Sequence, residues 1–180
     1  FALLTLDTMG YKTPEGAEFD RDRILDEIVS SQNTDGGFSL SKGESDIDIT
    51  AMALQAIAPY YNDFSRDDVR KSADKAVEYL SGKQDSSGTF GSAEADSQVT
   101  IALCSLGIDP EADSRFVKNS DLLTSLLSYQ NSDGGFSHEK GGDSDELATG
   151  QALCALAAQK RFELTMRRIY DMREELSVLQ

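Results

Sequence analysis

Hydrophobic residues recur along this 180-residue chain with helical spacing, in three pairs of segments. The first segment of each pair has hydrophobic residues three and four positions apart on one face, as in Asp67–Leu80. Such spacing predicts an amphipathic helix that buries one side against a core. The other segments of this kind are Arg21–Ser31 and Asn119–Tyr129, and the chain opens with a further helical stretch, Phe1–Met9.

The second segment of each pair is apolar almost all round and rich in alanine. These segments are Asp46–Tyr61, Ala95–Ile108 and Ser144–Gln159. A helix without a polar face is buried on both sides. We therefore expect each pair to form a hairpin of one outer and one inner helix, and neighbouring hairpins to stack side by side.

A glycine-containing motif, Gln-x-x-Asp/Ser-Gly-Gly/Thr-Phe, separates the two helices of each hairpin. It begins at Gln32, Gln84 and Gln130, which repeats it roughly every 50 residues. Glycine ends the outer helix and permits positive φ, and the glutamine can bond backbone groups that the helix end leaves unpaired. We expect the aromatic residue of each motif to fill the gap between units: Phe38, Phe90 and Phe136.

This periodicity predicts one domain over residues 1–180. The repeat units span about 20–61, 67–108 and 115–159, and residues 160–180 form a C-terminal helix or linker. Because the chain opens with Phe1 inside a helical pattern, we expect it to be a piece of a longer protein.

The repeated motif resembles the QW-type repeat of the terpene cyclase and protein prenyltransferase superfamily, with Phe in place of Trp. Segments such as DITAMALQAIAPYY, ALCSLGIDP and RIYDM are similar to one branch of it, the repeat domains of secreted Gram-positive bacterial proteins akin to cobalamin carriers. The resemblance covers nearly the whole chain. It implies an all-α fold, an α/α-toroid present as a partial ring of helical hairpins. It also implies an extracellular or cell-surface location.

The enzymatic signatures of this superfamily are incomplete in the chain. Squalene–hopene cyclases use Asp-x-Asp-Asp-Thr at the start of an inner helix, and their middle Asp protonates the substrate. The matching residues are Asp46, Asp48 and Thr50, with Ile49 in place of the third aspartate. Asp48, with Asp46 beside it, is therefore a weak candidate acid, and helix capping or packing is the alternative. The zinc ligands of protein prenyltransferases are not matched, so we expect no metal and no cofactor.

Polar residues at the starts of the inner helices gather at one mouth of a toroid. Polar groups that converge there are candidates to bind a ligand, which would be a small molecule, a peptide or a glycan. Capping and solvation of the helix ends are the favoured interpretation. The candidate residues are Asp46, Asp48, Thr50, Ser97, Gln98, Glu146, Thr149 and Gln151, with Thr100 close by.

Two further groups of residues have side chains that could react or bind a metal ion. Cys104 and Cys154 hold the same repeat position, where the first unit has Gln55, and are expected to be small core residues rather than a reactive thiol or a bonded pair. An acidic loop has the oxygen ligands that calcium prefers, but a solvated loop is the favoured interpretation. The loop residues are Asp133, His138, Glu139, Asp143 and Asp145.

The net charge of −15, from 32 acidic and 17 basic residues, disfavours nucleic acid and anionic membrane surfaces as partners. No apolar run approaches the roughly 18 residues of a membrane-spanning helix, so we expect no membrane insertion. The incomplete enzymatic sets favour a non-catalytic extracellular binding or structural module. A terpene-cyclase-like or prenyltransferase-like enzyme and a carrier of a corrinoid ligand are the alternatives. Open edges of the partial ring would expose apolar helices, which favours self-association.

Overall fold

The computed structural model describes residues 1–41 and 43–173, and this part of the chain is mostly helical. It contains two short antiparallel strands, β1 (Phe136–Ser137) and β2 (Ser144–Asp145), and a 3₁₀ turn (Ala58–Tyr60) that extends α3. No helix in these ranges has the length and apolar character needed to cross a bilayer. The helices are α1 (Ala2–Thr8), α2 (Arg21–Ser30), α3 (Ile47–Ile57), α4 (Asp67–Lys83), α5 (Ala93–Leu106), α6 (Leu122–Leu127) and α7 (Glu146–Glu163).

The helices form two curved layers, as the alternation of amphipathic and apolar segments predicts. The inner layer consists of α3, α5 and α7, and α5 lies between the other two and is buried along nearly its whole length. The outer layer consists of α2, α4 and α6. Helix α1 packs beside α2 and α3, where a preceding unit would place its inner helix. The predicted all-α fold, an α/α-toroid present as a partial ring, is confirmed, and the close packing between the layers joins each inner helix to the outer helix that follows it, α3 to α4 and α5 to α6.

In the first two turns, the glutamine of the repeated motif joins the turn to the following unit, whereas Gln130 bonds Gly134 O within its own turn. In the first turn, Gln32 Nε2 donates to the carbonyl oxygens of Gly36 and of Ser72 in α4, both at 2.8 Å. In the second turn, Gln84 Nε2 donates to Gly88 O at 2.8 Å and to Phe116 O at 2.9 Å. The motif is therefore part of the scaffold, since its polar side chain bonds backbone rather than facing a cavity.

A side chain of the inner helix holds the backbone N–H of the motif phenylalanine in every unit. Phe38 N donates to Thr50 Oγ1 at 2.9 Å, and Phe136 N donates to Thr149 Oγ1 at 2.8 Å. In the shorter second loop, Phe90 N donates to the carboxylate of Asp96 at 2.6 Å. As predicted, Phe38 and Phe136 are buried, whereas Phe90 is only half-buried.

The chain after α7 crosses the carboxyl ends of the inner helices. We name Leu164–Arg173 the strap. Near the start of the strap, Thr165 has a positive φ of 54°, which turns the chain back from α7. The Arg168 guanidinium then donates to Ser105 O at 2.6 Å and to Ala58 O at 3.1 Å. Of the segment predicted as a C-terminal helix or linker, residues 160–163 continue α7, 164–173 form the non-helical strap, and 174–180 lie outside the described residues.

Candidate functional site

The concave side of the partial ring is lined by one row of residues from each inner helix. On α3 the row is Asp48, Met52 and Gln55, at positions i, i+4 and i+7 of one helical face. Met52 and Gln55 border a cavity of about 230 Å³ together with Gln98 of α5. On the other side of Gln98, a cavity of about 170 Å³ is bordered by Ile101, Glu146, Leu147, Gly150, Gln151, Cys154 and Tyr170.

Three glutamines form a hydrogen-bonded chain across the middle of this face. Gln55 Nε2 donates to Gln98 Oε1 at 2.8 Å and to Gln98 O at 3.0 Å. Gln98 Nε2 donates in turn to Gln151 Oε1 at 2.9 Å. We name Gln55, Gln98 and Gln151 the glutamine row. Because it links α3, α5 and α7, it fixes the spacing of the inner layer and gives an otherwise apolar face a polar centre.

Acidic residues gather where the inner helices begin. Asp48 is half-buried, and its Oδ1 is enclosed with no hydrogen-bond partner among the described residues. Burial raises the pKa of Asp48, and the carboxylates of Asp46 and Glu94 raise it further, while His138 opposes them. His138 Nδ1 lies 2.9 Å from Glu94 Oε2, and this contact raises the pKa of His138.

Asp46 and Thr50 make local bonds that fit the capping alternative. Asp46 Oδ1 accepts the Ile49 N–H at 2.9 Å, so this exposed side chain is the N-cap of α3. Thr50 Oγ1 donates to Asp46 O at 2.6 Å and also holds the Phe38 amide. The structure therefore separates Asp48 from Asp46 and Thr50, since only Asp48 among the three has an enclosed oxygen without a hydrogen-bond partner in the described part of the chain.

The other predicted ligand-binding residues divide into two groups. Ser97 donates to Ala93 O at 2.6 Å and Thr100 to Asp96 O at 2.7 Å, so both hydroxyls bond their own helix, while Thr149 holds the Phe136 amide. Gln98, Glu146 and Gln151 line the concave face with Asp48. The ligand-binding role of the set stays a prediction.

Sequence reasoning missed three residues of this face. Gln55 was noted only as the counterpart of the cysteines, although a polar side chain inside an alanine-rich apolar helix is a signal in itself. Glu94 was overlooked because it precedes the predicted start of its helix. Tyr170 has no local signal, because only the path of the strap brings it here.

The cysteines and the acidic loop form no metal site in the described ranges, where no three His, Cys, Asp or Glu side chains are grouped as ligands. Both cysteines are free and half-buried; the Cys104 thiol donates to Gln159 Oε1 at 3.3 Å, and burial raises its pKa to about 12. In the loop, Asp133 accepts the Gly135 N–H, and Asp145 caps α7. These residues do not fit the zinc site of protein prenyltransferases.

The model of one protein family, the prenyltransferase α/α-toroid domain, matches residues 1–177. The chain belongs to the prenyltransferase α/α-toroid family. It is 32% identical over 143 residues to drimenyl diphosphate synthase of Streptomyces showdoensis, a match that covers 74% of this chain and 26% of the synthase. The chain thus spans about a quarter of that relative.

A solved structure shows the same toroid fold. The protein geranylgeranyltransferase-I of Candida albicans, complexed with GGPP, matches with a TM-score of 0.62 and 20% sequence identity. The match covers 94% of this chain and 51% of the transferase chain, so this member of the toroid family spans about half of it. At this identity the match supports the fold.

These relatives overturn the prediction of a non-catalytic binding or structural module. Both are enzymes by name, and the leaning against catalysis is not supported. Ile49 in place of the third aspartate favours loss of the acid when the sequence is considered alone, yet in the structure Oδ1 of the middle aspartate, Asp48, is enclosed and has no hydrogen-bond partner among the described residues. The corrinoid-carrier alternative gains no support from these toroid relatives. The secreted Gram-positive branch and the extracellular location stay predictions.

Proposed function

We propose that the chain carries the acid of a terpene-cyclase-like active site, in which Asp48 protonates a carbon–carbon double bond of an isoprenoid. The observation that carries the proposal is the Asp48 carboxyl group, with Oδ1 enclosed and unpaired among the described residues at the start of the concave row. The similarity to drimenyl diphosphate synthase supports a substrate of the isoprenoid diphosphate class.

The surroundings of Asp48 suit a proton donor. Burial and two neighbouring carboxylates raise its pKa, which keeps the carboxyl group protonated over a wider pH range. An oxygen without a hydrogen-bond partner leaves its proton free to transfer to an alkene carbon. The transfer forms a C–H bond and a carbocation and leaves the Asp48 carboxylate.

The neighbours of Asp48 differ in their effect on that carboxylate. Glu94 destabilises it, but Glu94 is itself bonded to His138, whose pKa is raised by the contact. A positively charged His138 stabilises the Asp48 carboxylate that remains after proton transfer. For the same reason, His138 acts to lower the pKa of Asp48.

Aromatic rings reach the concave face from outside the inner helices. Phe1 from the amino terminus and Tyr170 from the strap border the same cavity as Met52 and Gln55. The face of an aromatic ring attracts a cation, so these rings are suited to a carbocation intermediate. The inner helices themselves carry few aromatic residues.

The proposal is tested by incubating the chain with isoprenoid diphosphates and with squalene, and analysing the products by gas chromatography and mass spectrometry. We expect cyclised product from the wild type and none from Asp48→Asn. Glu27→Gln is the matched control, because Glu27 lies on the outer helix α2 and is exposed, and this variant should keep full activity.

The pH profile is a second readout. Since Asp48 acts in its protonated form, activity should fall as pH rises through its raised pKa. Cyclised product formed equally by wild type and Asp48→Asn would contradict the assignment of the acid, and absence of any product from the wild type would contradict the function.

A further inference from the structure

The strap places one aromatic ring at the centre of the concave face. Tyr170 borders both cavities beside the glutamine row and a third cavity, of about 380 Å³, near the carboxyl ends of the inner helices. No other described residue borders all three. The ring is therefore the partition that divides one continuous face into three smaller spaces.

The strap is held at several points that do not involve this ring. Arg168 bonds the carbonyl oxygens of Ser105 and Ala58, at the ends of two inner helices, where the helix dipole favours a positive charge. Further along, the Met172 N–H donates to Thr8 O of α1 at 2.9 Å. The strap thus spans the inner layer from α7 to α1, and Tyr170 lies between its anchors.

The ring itself packs against a hydrophobic cluster that includes Ile101 of α5 and Ala152 of α7. A ring fixed on one side by packing and on the other by a tethered backbone is a rigid wall. A rigid wall across an apolar cavity limits the length of the chain that the cavity accepts.

We infer that Tyr170 is a specificity-determining residue that sets the length of the isoprenoid chain admitted to the concave face. The inference rests on the proposed function and concerns the same site. With the ring present, a chain lies in one of the separate cavities beside the glutamine row. With the ring removed, the cavities join, and a longer chain fits without displacing the strap.

The test compares wild type, Tyr170→Ala and Tyr170→Phe with geranyl, farnesyl and geranylgeranyl diphosphate. We expect the ratio of kcat/KM for the longest over the shortest substrate to rise by on the order of tenfold or more in Tyr170→Ala, since a single methylene group in an apolar pocket already gives discrimination of about tenfold. Tyr170→Phe keeps the ring and should keep the wild-type ratio. Tyr11→Ala, which removes an exposed tyrosine, is the control for loss of an aromatic side chain.

Equal ratios in all variants, with turnover intact, would overturn the inference and leave the proposed function standing. If the wild type turns over none of the substrates, the proposed function fails, and calorimetric binding of 1-alkanols of increasing length tests the inference separately. Tyr170→Ala should then bind longer alkanols than the wild type does. The same length limit in both proteins would show that the ring is not the boundary. Circular dichroism confirms that each variant is folded.

Discussion

At the scale of single residues, Asp96 differs from Thr50 and Thr149, which bind the equivalent backbone amide in the other two units. All three hold the amide of a motif phenylalanine, but Asp96 is fully buried and ionisable. It also accepts hydrogen bonds from Thr89 Oγ1 at 3.0 Å and Ser125 Oγ at 2.8 Å. Burial outweighs these donors and the charge of Lys140, and raises the pKa of Asp96 to about 6.

This raised pKa predicts that Asp96 makes stability depend on pH. Below the unfolded pKa both states hold the proton, and the folded state loses its advantage as pH rises through about 6. We expect the free energy of unfolding to fall by up to about 3 kcal/mol between about pH 4 and about pH 7, since each pKa unit corresponds to about 1.4 kcal/mol. Urea denaturation across this range measures it.

Asp96→Asn is the decisive variant, because its amide resembles the protonated carboxyl group and has no charge to bury. We expect this variant to lose that part of the slope. Asp133→Asn is the control and should keep the wild-type slope. Asp133 lies in an exposed loop, where a hydrogen bond from Ser144 lowers its pKa. Identical slopes for wild type and Asp96→Asn would show that Asp96 is not the group responsible.

The candidate ligand-binding residues show how much of the site could be predicted from the sequence. The pattern located the starts of the inner helices, and Asp48, Gln98 and Gln151 do line the concave face. It also included Thr50 and Thr149, whose hydroxyls hold backbone amides 12 and 13 residues earlier in the chain. Side chains within one helical turn point in different directions, and a contact between separate elements decides which of them faces a cavity.

At the scale of elements, helices were predictable wherever the periodic pattern was long. Helix α4 extends to Lys83, slightly beyond the predicted Leu80, whereas α6 keeps only Leu122–Leu127 of the predicted Asn119–Tyr129. The strap was not predictable, because its anchors are carbonyl groups of helices far away in the sequence. Backbone acceptors leave no trace in the pattern of side chains.

The turn glycines give a matched test of how units pack on one another. Gly88 and Gly134 occupy the same motif position, with φ of 96° and 89°. A Cβ on Gly88 would lie 2.5 Å from Ser120 O in the next unit, whereas a Cβ on Gly134 would meet nothing within 4 Å. Both substitutions to alanine strain the backbone, but only one collides with a neighbour.

We therefore expect Gly134→Ala to destabilise the fold by about 1–2 kcal/mol, the cost of a left-handed conformation for alanine. Gly88→Ala should lose a further 1–3 kcal/mol or so, as overpacking does. Chemical denaturation of the two variants measures the difference. Equal losses would mean that the turn and the next unit separate easily, and that the motif does not hold units together.

At the scale of the whole molecule, the partial ring ends at α7. One leucine recurs at the same position of every inner helix, and Leu54 and Leu103 are 0% exposed while Leu153 is 58% exposed. The outer helix that follows covers each of the first two, α4 against α3 and α6 against α5. Within the described residues α7 has no such cover, so it presents Leu153 at an apolar edge.

The same substitution should therefore destabilise the fold strongly at the buried leucine and hardly at all at the equivalent exposed leucine. Leu103→Ala should lower the free energy of unfolding by about 2–5 kcal/mol, because it leaves a cavity in the core. Leu153→Ala should change it by less than about 0.5 kcal/mol, as an exposed position does.

If the edge also drives self-association, as the sequence led us to expect, Leu153→Lys should shift sedimentation profiles toward the monomer without affecting thermal unfolding of dilute protein. Association unchanged by Leu153→Lys would show that copies of this acidic chain meet through another surface, or that its net charge of −15 keeps them apart.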